Sequence, residues 1–265
     1  MAQAESSGTM ISVRGVTKRF GGLTAVDDCS LEVATGSITG LIGPNGAGKS
    51  TLFNIIAGVF PPTAGEVILD GETVTGQKPH HLFARGLVRT FQIAHEYARL
   101  PVIENLMVVP PDQAGERLAT ALFRPGRIRA QDAEVRRRAE DVLDFLRLTP
   151  LKYELAGNLS GGQKKLLELG RTMMTDARVV LLDEVAAGIN RALLASLAGD
   201  IERLNRERGY TFFVIEHDMD LIGRLCDPVI VMAQGTVLTQ GSMSEIRADR
   251  RVIEAYLGMT DDEAA

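Results

Sequence analysis

Nine consecutive residues, Gly43-Pro44-Asn45-Gly46-Ala47-Gly48-Lys49-Ser50-Thr51, have the types and spacing needed to hold a chain of phosphates. They fit the G-x-x-x-x-G-K-[ST] pattern of a P-loop. A short apolar run, Ser37 to Ile42, leads into them, and Lys49 to Ala57 reads as helix. A strand that ends in glycines and turns into a helix leaves a row of backbone N–H groups facing one concavity. The start of the helix adds about half a positive charge there. Gly43, Gly46 and Gly48 allow a close backbone approach that a Cβ would block. Lys49 supplies a point charge for β- and γ-phosphates, and the Ser50 hydroxyl is placed to ligate Mg²⁺. A glycine-rich turn that binds nothing is the bland alternative, and the flanking strand and helix argue against it.

Two further stretches fit anion chemistry. Val179 to Glu184 is an apolar run of strand length ending in two carboxylates. Asp183 at its tip matches the Walker B aspartate that holds Mg²⁺ through water in P-loop enzymes. A Leu-Leu-Asp-Glu run alone is weak, because acidic residues often cap helices at strand ends. The P-loop lysine 135 residues upstream (184 − 49) gives it meaning. The other stretch, Asn158-Leu-Ser-Gly-Gly-Gln163, precedes a helical run from Lys164 to Met174. Ser160 is a good N-cap residue, and the amides of Gly161 and Gly162 form a second helix-terminus anion site. One chain seldom needs two such sites for a single triphosphate.

The elements that must position these residues follow from pattern. Ile11 to Val33 alternates and carries turn formers, as short strands do. Gly65 to Gly71 predicts a strand ending in an Asp-Gly turn, hence an antiparallel hairpin. Strand signals vanish between about Ile93 and Thr175. There Val135, Ala139, Val142, Leu143 and Leu146 fall on one helical face. Strand grammar resumes at Val179–Leu182, Thr211–Ile215 and Val229–Met232, alternating with helical stretches. That alternation predicts a parallel sheet wrapped by helices.

The 265 residues suffice for a core domain with an inserted subdomain. The net charge of −5 argues against a protein built to grip nucleic acid. The arginines at 124, 127, 129 and 136–138 are interleaved with acids, as on a solvated helix face. Cys29 and Cys226 lack metal-ligand spacing and read as buried thiols in a reducing compartment. No apolar run approaches the ~20 residues that span a bilayer. The first nine residues lack the basic start and apolar core of a signal peptide, so a cytosolic chain is expected.

In this order the P-loop and the Leu-Ser-Gly-Gly-Gln stretch resemble the ATP-binding subunit of an ABC transporter, and the resemblance covers roughly Met10 to Met259. It implies an α/β P-loop NTPase core (10–92 and 176–259) with an antiparallel β subdomain and an inserted helical subdomain (93–175), between loose tails at 1–9 and 260–265. It implies ATP and Mg²⁺ as cofactors, with Glu184 as the base that deprotonates water. Gln92 matches the metal-sensing Q-loop glutamine, though alone it would equally be a solvated polar residue. His217 matches the switch histidine at the γ-phosphate, where a lone histidine is more often structural. Phe20 matches the aromatic that stacks on adenine, with a core phenylalanine as competitor. Ser160, Gly161, Gly162 and Gln163 match the signature that closes over the nucleotide of a facing subunit. The implied partners are a second ATPase subunit, two transmembrane permease subunits and, indirectly, a solute-binding protein, with this chain peripheral on the inner face of the membrane.

The sequence departs from the family pattern at Val185, where proline is usual, at Asn190, where many relatives have Asp, and at Arg191. Phe91-Gln92-Ile93, Glu216-His217-Asp218-Met219 and the ending Val252 to Gly258 are similar to subunits of branched-chain amino-acid importers. Urea and short-amide importers and the lipopolysaccharide-export ATPase share much of that pattern. Soluble ABC proteins of ribosomes or DNA usually carry two heads or a long coiled-coil insertion, and this chain has neither.

Overall fold

The computed structural model describes residues 8–90, 96–111, 113–116, 125–186 and 190–257. In chain order the strands are β1 (Thr9–Phe20), β2 (Leu23–Ala34), β3 (Ile38–Ile42), β4 (Ala64–Leu69), β5 (Glu72–Thr73), β6 (Leu87–Arg89), β7 (Val179–Asp183), β8 (Thr211–Ile215), β9 (Val229–Ala233) and β10 (Thr236–Gly241). The helices are α1 (Lys49–Ile56), α2 (Pro79–Ala84), α3 (Val102–Met107), α4 (Pro125–Phe145), α5 (Gly161–Met173), α6 (Arg191–Arg208), α7 (Met219–Leu225), α8 (Met243–Ala248) and α9 (Arg250–Leu257).

The chain divides into two compact units. The first takes in Met1–Arg89, Arg178–Ala186 and Ile201–Ala265. It holds a six-stranded sheet of order β10-β9-β3-β8-β7-β6, parallel from β9 to β6 with β10 antiparallel at the edge. β3, β7 and β8 are buried along their whole length, which is why they read as unbroken apolar runs rather than alternating ones. The register sets Leu41 and Asp183 on either side of Ile215, so the carboxyl ends of three neighbouring strands lie in a row. Ligands of open α/β sheets bind at such ends.

The same unit carries an antiparallel sheet of order β2-β1-β4-β5. Where alternation predicted short strands, β1 and β2 each run 12 residues, because shifts of register let them twist without breaking. The Asp70-Gly71 hairpin forms as expected, with φ of 49° and 80° at its two turn residues. Side chains of both sheets and α1 meet in one core that includes Ile11, Val67, Phe53 and Phe213.

The second unit, Thr90–Ala177 and Ala187–Asp200, contains no strand among the described residues. Of the face predicted for α4, Ala139, Val142, Leu143 and Leu146 are inaccessible and Val135 is half-buried. Arg138 donates to the carbonyls of Met173 and Thr175 (3.0 and 2.7 Å), satisfying groups that the end of α5 leaves open.

Candidate functional site

The loop between β3 and α1 is shaped by two glycines. Gly43 has φ of 150°, and a Cβ there would sit 2.1 Å from the Met232 carbonyl oxygen. Gly48 has φ of 96°, and its Cβ would sit 2.4 Å from the Ala25 carbonyl oxygen. Neither backbone neighbour can withdraw, so only glycine fits. Lys49 is 5% exposed, and its Nζ donates to the carbonyls of Gly43 (2.6 Å) and Pro44 (2.9 Å). The ammonium thus lies curled inside its own loop. Burial pushes its pKa below the ordinary lysine value, and the charge of Glu184 pulls it back up.

A cavity of about 330 Å³ opens over this loop. Its walls include Asn45 to Thr51, Leu23 to Ala25, Glu184 and His217. The sequence-predicted phosphate cradle, base and switch residue therefore face one space. Gly43 and Pro44 lie behind it, as carbonyl acceptors for Lys49.

Glu184 follows β7 with φ of 50°, a left-handed conformation that a glutamate adopts at a cost of about 1–3 kcal/mol. Its N–H donates to Ile215 O at 3.0 Å, tying the tip of β7 to β8. Its Oε1 lies 3.1 Å from Nε2 of His217. The turn after His217 is fixed by Asp218, whose Oδ1 accepts the N–H groups of Asp220 and Leu221 at the start of α7.

Glu216 was passed over in the sequence as part of the switch stretch. It is 3% exposed, and its carboxylate accepts the N–H of Ala186 (2.7 Å) and of His217 (3.2 Å). Burial pushes its pKa up, those two hydrogen bonds pull it down, and Glu184 adds a repulsive push upward. This side chain joins the segment after the predicted base to the predicted switch histidine. No local pattern announces it, because the link is made across two strands.

Asp183 is buried at the end of β7, and Arg89 Nη2 donates to its Oδ2 at 2.7 Å. Arg89 Nη1 donates to Asn54 Oδ1 on α1 at 2.6 Å. Nothing local in the sequence marks either Arg89 or Asn54. Ser50 stands exposed in the first turn of α1, and Asn54 lies one turn further along the same face. The hydroxyl and carboxylate are hard oxygen donors of the kind Mg²⁺ takes in small number alongside water and phosphate. No cluster of three His, Cys, Asp or Glu side chains fit for a metal occurs among the described residues.

Phe20 is 46% exposed, which rules out the core reading. It packs edge-on against Phe60 at 5.5 Å, with the Lys18 ammonium over both rings, but it does not line the cavity. Gln92 lies outside the described residues. Ser160, Gly161, Gly162 and Gln163 belong to the second unit. There Ser160 caps α5 reciprocally with Gln163: the Gln163 N–H donates to Ser160 Oγ (3.4 Å), and Gln163 Oε1 accepts from the Ser160 N–H (2.9 Å). Asn190 caps α6 by accepting the Leu193 N–H at 2.9 Å, a role Asn and Asp fill equally well. Val185 is buried.

The family described as ABC transporter matches residues 26–187, and one described as Branched-chain amino acid ATP-binding cassette transporter matches 236–258. A probable branched-chain amino acid transport ATP-binding protein of Archaeoglobus fulgidus is 37% identical over 254 residues, covering 96% of this chain and 97% of that one. A high-affinity branched-chain amino acid transport ATP-binding protein of Pseudomonas aeruginosa is 38% identical, covering 94% and 98%. Among solved structures, an ATP-binding cassette of an ABC transporter in its ADP conformation superposes with a TM-score of 0.81 at 32% identity, covering 95% of this chain and all of that one. A nucleotide-free cassette gives 0.79 at 32% identity, covering 94% and 98%. With its P-loop, Glu184 and His217 gathered on one cavity, the chain belongs to the ATP-binding subunits of the ABC transporter family.

Proposed function

We propose that this ABC ATPase powers uptake of branched-chain or related apolar amino acids through a membrane complex. The observation that carries the cargo reading is the match of residues 236–258, from β10 into α9, to the branched-chain cassette family. The relatives named above are branched-chain amino acid transport proteins over nearly their full length.

ATP would seat its phosphates on the amides of the loop from Gly43 to Thr51, with Lys49 turning from the carbonyls of Gly43 and Pro44 to the β- and γ-phosphates. Glu184 takes a proton from the attacking water, and His217, 3.1 Å from it, contacts the γ-phosphate. Ser50 and Asp183, joined by Gln92, would hold Mg²⁺, which when bound neutralises charge on the phosphate oxygens. Phe20, 46% exposed though not in the cavity wall, is the ring available to stack on adenine.

Ser160 to Gln163 serve the nucleotide of a second ATPase subunit, a copy or a paralogue, so that two nucleotides lie between two heads. Two transmembrane permease subunits dock on the segment from Ile93 to Pro101. Its described part supports this: Tyr97 is 52% exposed, and Asn105, buried beneath, accepts the Tyr97 N–H and donates to the carbonyls of Tyr97, Leu100 and Pro101. An apolar ring presented on a pinned turn suits a partner surface. The chain works as a peripheral subunit on the inner face of the membrane, and no described helix is long and apolar enough to cross one. A solute-binding protein delivers the cargo from outside.

The test is transport. A strain lacking this chain is expected to lose energised leucine, isoleucine or valine uptake and to recover it with the wild type but not with Glu184→Gln. If all three are unaffected while urea or amide uptake fails, the ABC assignment stands and the cargo reading falls.

A further inference from the structure

Arg89 ends β6, the edge strand beside β7, and its guanidinium bridges two elements of the nucleotide site. One terminal nitrogen donates to Asp183 Oδ2 at 2.7 Å, and the other donates to Asn54 Oδ1 at 2.6 Å. Both charged side chains are mostly buried, at 16% and 10% exposure. Arg89 Nε is also buried, with no hydrogen-bond partner among the described residues. A guanidinium that forgoes a buried hydrogen bond is poorly placed for stability alone. Its fork geometry, however, suits a bridge between a carboxylate and an amide set apart from each other.

We propose that Arg89 is a positioning residue for the metal that accompanies ATP, holding Asp183 and the Ser50 face of α1 in fixed relation through Asn54. This rests on the reading of Ser50 and Asp183 as the metal-facing groups. Arg89 engages only Oδ2 of Asp183, which leaves Oδ1 for a metal-bound water. Asn54 stands four residues after Ser50 on the same helical face, so the second branch of the fork steadies the helix that carries the hydroxyl. Partners of ligating carboxylates commonly act this way, and their loss weakens metal affinity by about 10- to 100-fold.

The experiment measures two equilibria separately on the full chain. Mn²⁺, a paramagnetic probe for the Mg²⁺ site, is titrated in the presence of ATP and followed by electron paramagnetic resonance. ATP affinity is measured in EDTA without metal. Arg89→Gln is expected to weaken Mn²⁺ binding about tenfold or more while metal-free ATP affinity stays within about twofold. Arg89→Lys, which keeps the charge but reaches only one partner, is expected to fall between. Asn54→Ala, which leaves the ion pair intact, should lose affinity several-fold and covers the case in which Arg89 variants fold poorly. Unchanged or tighter Mn²⁺ binding in Arg89→Gln overturns the proposal. So does a loss of metal-free ATP affinity in step with thermal stability, since that marks a merely structural arginine. Asp183→Asn separates the two readings: if it leaves Mn²⁺ affinity intact, Asp183 itself is no metal residue. If it alone weakens Mn²⁺, only the role of Arg89 falls.

Discussion

Lys49→Ala is expected to cut ATP affinity by up to about 30-fold, and the structure says why the loss is not larger. The ammonium is already satisfied by two loop carbonyls at 2.6 and 2.9 Å, so binding ATP exchanges those for phosphate oxygens rather than filling an unmet need. A charge pair ~3 Å apart is worth roughly 5 kcal/mol at an effective dielectric of ~20. The two surrendered hydrogen bonds from a charged donor to carbonyls are worth about 1.5–3 kcal/mol each, so at least about 3 kcal/mol together. The difference, at most about 2 kcal/mol, gives the stated limit. Equilibrium titration with a fluorescent ATP analogue measures it, and a change under about threefold would show that Lys49 stays on its own carbonyls. The depressed pKa adds an independent check. Between that depressed value and the ordinary lysine value, the unfolded chain holds a proton that the folded one has released. Nucleotide-free stability therefore rises with pH through this alkaline window. ATP affinity, which needs the charged form, falls through the same window. Lys49→Ala should show neither trend.

Three further outcomes are expected. Glu184→Gln keeps ATP binding and lowers turnover about 10²- to 10⁴-fold, because the amide cannot accept the water's proton; it also accumulates an ATP-bound dimer visible by light scattering, and retention of over a tenth of the activity would require another base. Ser160→Arg removes an N-cap worth about 1 kcal/mol and sets a bulky cation at the start of α5, so it should block hydrolysis while ATP still binds; full activity would sink the two-headed reading. Tyr97→Ala should leave basal hydrolysis intact and abolish stimulation by the permease subunits, and unchanged stimulation in reconstituted vesicles would place their docking elsewhere.

What the sequence made legible was what lies close along the chain. The buried strands β3, β7 and β8 are unbroken apolar runs because both their faces are covered, and the P-loop follows the first of them directly. The Asp70-Gly71 turn and the apolar stripe of α4 are likewise local patterns. What was hidden depends on pairing between distant strands. Arg89 meets Asp183 because β6 lies beside β7, 94 residues away in sequence, and Arg89 looked like any charge before an apolar stretch. Phe60 meets Phe20 across 40 residues (60 − 20), and the candidate core aromatic becomes an exposed ring set against a partly buried one. Helix α3 spans six residues, too few to show a period, and its anchor is a buried Asn105 that composition alone would leave in solvent.

The pairing of Glu184 with Glu216 extends this point to the chemistry. A glutamate at φ of 50° does not hold itself there, and the strain of about 1–3 kcal/mol must be met by its surroundings. On its own side the Glu184 N–H is fixed to Ile215 O, and two residues on the Ala186 N–H is fixed to the Glu216 carboxylate. The strained residue is thus clamped before and after by the end of β8 and the residue that follows it. That same carboxylate holds the His217 N–H, so the base and the histidine share one support. Burial raises the pKa of Glu216, so the fold gives up stability wherever that group carries its charge. A neutral residue would sit more cheaply in so closed a place. Two backbone N–H groups, one from each arm of the site, converge on Glu216, and an acceptor-only carboxylate is the side chain that can serve both at once. The glutamate before the histidine is therefore part of what aims the site.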